Sequence, residues 1–132
     1  MMSTQTWFAF SSKRMLWVSY ILSALPALLL LFSGTMKLMR PPSVIEGFVR
    51  LGYDEGLALG IGIVELLCTV LYLVPRTSVL GAILLTGFLG GATATHVRMG
   101  EPFYAAVLLG LLVWGGLFMR DEQLRVLIPL RK

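Results

Sequence analysis

Four long apolar stretches, about 15–36, 56–74, 79–95 and 103–119, take up more than half of the 132-residue chain. Each fits the roughly 17–25 mostly apolar residues with which an α-helix crosses a bilayer. Only 14% of the residues are charged, against about 25% in an ordinary soluble domain. A water-soluble core of this size could not hide so much apolar sequence, whereas lipid can solvate it. Lipid offers no partner to backbone N–H and C=O groups, so a spanning segment must be a helix or part of a closed barrel. The period-2 alternation of a membrane barrel is missing. The expected fold is all-α: a four-transmembrane-helix up-down-up-down bundle forming a single domain over 1–132, with 1–14 and 120–132 as cytoplasmic tails.

The net charge of +4 is spread by topology rather than gathered for nucleic acid, which is excluded as a partner. Lys13, Arg14, Arg76, Arg120, Arg125, Arg131 and Lys132 fall on one flank of the spans, and Lys37, Arg40, Arg50 and Arg98 on the other. The positive-inside rule then puts both termini in the cytoplasm and leaves the basic excess facing anionic headgroups. Glu46, Asp54, Glu55 and Glu101 all fall on the outer flank. A signal peptide is the competing reading of the first span, but its apolar run is too long and no small-x-small cleavage site follows. The expected location is a cytoplasmic membrane, crossed several times, with the lipid bilayer as the first partner.

The opening "MMSTQTWFAFSS" has no strong period and reads as a loose tail, with Trp7 and Phe8 able to touch the interface. Pro26 should kink the first span. Pro41-Pro42 stop that helix. Val44, Ile45, Phe48, Val49 and Leu51 then recur at near-helical spacing, which predicts a short amphipathic outer segment ended by Gly52-Tyr53. "PRT" and "HVRMGEP" are tight turns that make spans two to four antiparallel neighbours. In the tail, Leu124, Leu127 and Ile128 among charges suggest a segment lying along the cytoplasmic surface.

Glu65 lies about nine residues into the second span, roughly 13 Å deep at 1.5 Å per residue. A carboxylate there is expensive, so it should face the protein interior and either have a partner or be protonated. It belongs to a small-and-polar stripe: Ala58, Gly62, Glu65, Thr69 and Tyr72, spaced by threes and fours. The first span carries a matching stripe of Ser19, Ser23, Pro26, Leu30, Ser33 and Lys37. Two such stripes suggest facing helices. The flexible stem of Lys37 can reach towards Glu65 or snorkel to the headgroups. Glu65 reads either as a proton-carrying or ligand-polarising acid or as an interhelical hydrogen bond.

Gly87, Gly90, Gly91 and Ala94 form a small face on the third span, suited to close helix packing or to homo-oligomer contact. His96 falls nearly opposite that face on the helical wheel and Arg98 on its side. The two could share a pocket only if the helix ended near Thr95, which Gly100 and Pro102 would allow. A lone His is no metal site, and no metal is expected. Trp114 reads as packing or as an aromatic wall. Cys68 is the single cysteine, a small buried hydrophobe that cannot form an internal disulfide or thiol relay. No phosphate loop, Ser-His-Asp set or dinucleotide fingerprint is present.

The stretches "FSGTMKLMRPP", "LGY", "GIVELL", "VPRTSVLGAILLTGFLGGATATHVRMGEP" and "RDEQLR" resemble the DoxX-like family of small bacterial membrane proteins. The likeness runs from about Leu28 to the tail, and "LGGATATHVR" with "GIVE" is its most specific part. The resemblance implies a four-span bundle and links to membrane redox complexes or to membrane-protein assembly. Glu65, Thr95 and His96 match motif positions. No catalytic role comes with them.

Three functions follow. The first is a site for a lipophilic small molecule such as a quinone, the one cofactor considered, in an intramembrane polar pocket. Glu65, Lys37, His96, Arg98, Thr69, Tyr72 and Thr95 are its candidate residues. The second is an accessory or assembly subunit that binds a membrane-protein partner through the glycine faces. The third is a proton-coupled small-molecule transporter centred on Glu65. Catalysis by the isolated chain is not expected, since no redox centre is visible.

Overall fold

A computed structural model describes residues 4–127. Every regular element among them is helical. The long helix α1 covers Thr4–Met39, α2 covers Pro42–Arg50 and α3 covers Leu57–Leu73. A 3₁₀ turn, Pro75–Thr77, leads into α4 at Ser78–Arg98. Helix α5 covers Tyr104–Arg120 and α6 covers Glu122–Leu127. Helix α1 and the stretch from Pro75 through α4 are long and apolar enough to cross a membrane, and α3 and α5 are apolar helices of 17 residues.

Two boundaries differ from the sequence expectation. Helix α1 includes the described residues from Thr4 on, so that part of the expected loose tail is helical. Nothing in "TQTWFAF" breaks a helix, because the segment has no Gly or Pro; the missing apolar period hid it. Helix α4 runs on through Arg98, beyond the expected end near Thr95, and stops where Gly100 takes a φ of 70°. The side chains of Trp7 and Phe8, and residues Ile128, Arg131 and Lys132, lie outside the described set.

The end of α1 has a local cause. Arg40 precedes Pro41, and the proline ring disfavours the helical region for its predecessor. Arg40 adopts φ 54° instead. Pro42 then opens α2 at a position where a helix needs no N–H. Helix α2 is strongly amphipathic and buries Phe48, as its spacing predicts.

Helix α1 packs against α3 and α5, and α4 packs against the same two. Cross-helix pairs fix the registers. Ser23 meets Tyr72 while Lys37 meets Glu65, so α1 and α3 run in opposite directions. Trp114 donates to the Thr86 hydroxyl at 2.6 Å and Gly110 faces Leu89, so α4 and α5 do too. The predicted stripes are the buried faces: Ser19, Ser23, Pro26 and Leu30 of α1, and all of Ala58, Gly62, Glu65, Thr69 and Tyr72 of α3.

Close approach depends on glycines other than the expected ones. A Cβ on Gly62 would stand 2.8 Å from the Lys37 Cβ and 3.0 Å from the Gly34 carbonyl. One on Gly81 would run into the Tyr72 backbone, and one on Gly116 into Ser23 and the Ser19 carbonyl. By contrast Gly87, Gly90, Gly91 and Ala94 are exposed, and a Cβ on any of those three glycines would meet nothing within 4 Å. The predicted small face of α4 therefore does not pack within the described chain. Spacing alone cannot distinguish glycine that admits a neighbouring helix from glycine that leaves room.

Candidate functional site

Lys37 sits in the last turn of α1, one turn after Ser33. Glu65 lies in mid-α3 on the face towards α1. The Lys37 Nζ donates to Glu65 Oε1 at 2.8 Å and to Ser33 Oγ at 2.7 Å. The Glu65 side chain is 2% exposed and that of Lys37 17%. The pair gives the buried carboxylate a cationic partner. It does so incompletely, because Glu65 Oε2 is buried and has no hydrogen-bond partner among the described residues. A buried unpaired polar atom is costly, and one on a carboxylate marks a place where a further donor would be welcome.

This pair lines a cleft of about 530 Å³ between α1, α3, α4 and α5, near the α2 segment. Most of its wall is apolar, with Leu29, Leu30, Phe48, Ile61, Phe88 and Leu109 among the lining residues. Lys37 Nζ lies 5.9 Å from the centre of the Phe88 ring, a cation–π distance. A second polar group lies on the wall formed by α4 and the loop after α2. There the Tyr53 hydroxyl meets Thr95 Oγ1 at 2.7 Å, and His96 Nδ1 meets the Ala92 carbonyl at 2.7 Å. Phe48 braces Tyr53, with ring centroids 6.0 Å apart.

The structure separates the sequence candidates. Glu65, Lys37, Thr95 and His96 line the cleft together with Gly87 and Gly91, while Gly90 and Ala94 do not. Residues 87 and 96 lie about 180° apart on an ideal wheel of about 3.6 residues per turn, yet both line it, because it extends around half the circumference of α4. Arg98 does not line the cleft. Its guanidinium donates to the Leu51 carbonyl at 3.0 Å, on the glycine side of α4 but outside the cleft. Thr69 and Tyr72 lie elsewhere too. Thr69 bonds the Glu65 carbonyl at 2.8 Å within α3.

Tyr72 belongs to a separate buried chain. Its hydroxyl donates to the Val113 carbonyl at 2.7 Å and receives the Ser23 hydroxyl at 2.7 Å, while Arg120 donates to Ser23. The Arg120 guanidinium also lies 5.6 Å from the centre of the Tyr72 ring. These residues pin α1, α3 and α5 together at the end away from the Lys37–Glu65 pair.

Tyr53 and Ser33 are absent from the sequence-derived site. Ser33 is visible in the sequence only as one member of the α1 stripe. Tyr53 is visible there only as a helix-ending residue and in "LGY", and its partner Thr95 stands 42 positions away. Among the described residues no three His, Cys, Asp or Glu side chains come together as a metal site.

The model of the DoxX-like family matches residues 21–116. That stretch includes Lys37, Tyr53, Glu65, Thr95 and His96, and ends before Arg120. No curated protein and no solved structure matches the chain.

Proposed function

The chain belongs to the DoxX-like family, and from that premise we propose that it is an integral membrane protein that binds a lipophilic small molecule, such as a quinone, in the Lys37–Glu65 cleft. In this reading α1, α3, α4 and α5 are four spans running up-down-up-down in a bacterial inner membrane, both termini are cytoplasmic, and α2 rests at the outer face. The outward surface supports the bilayer: Leu28, Phe32, Val64, Leu67, Ile83, Leu108 and Leu111 all stand exposed along the four helices. Helices of 17 residues are at the short end of the range that spans a bilayer, about 17–25.

The observation that carries the ligand reading is the buried Glu65 carboxylate, bonded on one oxygen and bare on the other, in the wall of an otherwise apolar cleft. Its size of about 530 Å³ falls within the usual range for small-molecule sites, about 300–1,000 Å³. A lipophile can enter from the bilayer between helices, with its polar head at Lys37 and Glu65 and its body against the leucines. The redox setting rests on the family resemblance alone. The chain serves there as a subunit or accessory of a membrane redox system.

The test is mass spectrometry of what copurifies with the protein and with Glu65→Gln in native-like lipid discs. A stoichiometric lipophile lost in the variant supports the site. A specific protein partner held equally by both forms, with no small molecule, sinks it.

A second reading has its own observation. The exposed small face of Gly90 and Ala94 lies outside the cleft, and small faces let another membrane helix approach closely. Such a face suits an accessory subunit bound to a partner membrane protein or to a second copy of this chain.

A further inference from the structure

We infer that the end of the bundle away from the Lys37–Glu65 pair holds a second ligand, a single membrane phospholipid whose phosphate is bound by Arg120. Such a site needs a bilayer around the chain, as proposed above. It does not need the cleft to bind anything.

The last residues of α3 and α5, the start of α4 and one face of α1 surround a pocket of about 430 Å³ at that end. Its two charged lining residues are Arg120 and Asp121. Arg120 is held in place but not neutralised. It donates to Ser23 Oγ, and its guanidinium stands 6.0 Å from the centre of the Tyr20 ring and 5.6 Å from that of Tyr72, both cation–π distances. Neither ion pair among the described residues, Lys37–Glu65 or Arg50–Glu101, includes it. A guanidinium has five N–H donors, and Ser23 takes one. The serine hydroxyls nearby have spent their own protons, Ser23 on Tyr72 and Ser78 on the Tyr72 carbonyl at 2.8 Å. The donors left are the free guanidinium N–H groups and the Tyr20 phenol. A phosphate has several charged acceptor oxygens and matches the guanidinium fork. Asp121 gives Oδ1 to the Leu124 N–H at 3.0 Å and keeps Oδ2 as an acceptor. That oxygen disfavours a bare phosphate ion and suits a head group with hydroxyls beside its phosphate, such as glycerol.

The depth of the pocket also selects a lipid over a soluble phosphate. Trp17 and Tyr20 of α1 stand 72% and 58% exposed, and exposed Trp and Tyr of a spanning helix collect at the level of the headgroups. Arg120 lies against Tyr20 and so shares that level. Lys13 and Arg14 are exposed about a turn further out on α1, and Arg76 is exposed in the turn between α3 and α4. Basic residues so placed attract negative headgroups. Ala24, Leu73 and Leu117 complete the pocket with apolar surface, against which the first acyl carbons of a lipid gain contact and a free phosphate gains none.

The test is native mass spectrometry of the full chain released from detergent, titrated with phosphatidylglycerol, with the diacylglycerol of the same acyl chains, or with inorganic phosphate. One phosphatidylglycerol per chain should bind about tenfold or more tightly than diacylglycerol, the scale of a charged hydrogen bond. Inorganic phosphate should not displace it. Arg120→Gln should weaken phosphatidylglycerol by about tenfold or more. Arg120→Lys should lose less, because it keeps the charge without the fork. Arg76→Gln, which removes an exposed cation outside the pocket, should change binding much less than Arg120→Gln does. Equal affinity for phosphatidylglycerol and diacylglycerol in the unaltered protein overturns the inference, whether or not the variants fold. Binding that Arg120→Gln leaves unchanged overturns it too, as does displacement by inorganic phosphate. Each of these results leaves the Lys37–Glu65 cleft standing as a separate site. A chain that stays monodisperse without detergent or lipid overturns the membrane reading, and this site with it.

Discussion

Lys37 and Glu65 stand 28 positions apart in sequence and meet at 2.8 Å, the lysine near the end of α1 and the acid in mid-α3. The pair joins two helices and closes one side of the cleft. Removing the cation should hurt more than neutralising the acid. Lys37→Met leaves a carboxylate at 2% exposure without its charge partner, at a cost of at least about 1–3 kcal/mol. Glu65→Gln keeps an oxygen acceptor for Lys37. The combined Lys37→Met/Glu65→Gln protein should therefore be more stable than Lys37→Met alone. Thermal unfolding in detergent checks the order. A double variant less stable than either single one would show that the pair does not couple in this way.

The glycines divide into two classes that mutate differently. Gly81→Ala places a Cβ against the backbone of Tyr72, which cannot rotate away as a side chain can. It should destabilise by about 1–3 kcal/mol, the usual cost of overpacking. Gly87→Leu and Gly91→Leu meet open space and gain helix propensity, so the fold should survive. Both side chains would enter the cleft and displace a ligand. Unfolding temperature and copurified lipophile, measured on the same samples, separate the classes. Loss of folding in Gly87→Leu would mean that this face is packed after all.

Helical period by itself makes the buried stripes of α1 and α3 legible, since a polar residue every third or fourth position in an apolar helix has few other uses. Glu65 and Lys37 stand out for the same reason: charge at depth demands an explanation. What the sequence conceals depends on distance along the chain. Tyr53 meets Thr95 across 42 positions and Arg120 reaches Ser23 across 97, and no local pattern encodes either contact. The α4 glycines are legible as small but not as empty, because emptiness depends on where α1 and α5 lie. Arg98 shares their side of the wheel, yet it is turned to the Leu51 carbonyl by the loop after α2.

Tyr72→Phe tests the second buried network without touching the cleft. The substitution removes the proton given to the Val113 carbonyl and the acceptor used by Ser23. Ser23 and Arg120 would remain with one acceptor fewer between them. A loss of about 1–2 kcal/mol is expected, with copurified ligand unchanged because Tyr72 does not line the cleft. Loss of ligand at unchanged stability would instead connect this end of the protein to binding.

The proposed topology makes a prediction about two residues on opposite sides. Glu46 is exposed on α2 and Arg76 is exposed in the turn between α3 and α4. If α2 lies at the outer face, a membrane-impermeant maleimide added to cells whose outer barrier admits it should label a cysteine at position 46 directly. A cysteine at position 76 should react only after the inner membrane is permeabilised. Cys68, the single cysteine, is replaced by alanine in both proteins; it is buried in α3, and the change removes only a small side chain. The basic residues set the expected sign: Lys13, Arg14, Arg76 and Arg120 share one flank, and the positive-inside rule assigns that flank to the cytoplasm. The opposite labelling pattern would turn the protein over. The cleft, lined by Lys37, Tyr53 and His96, would then lie on the cytoplasmic half of the protein, and so would the head group of its ligand.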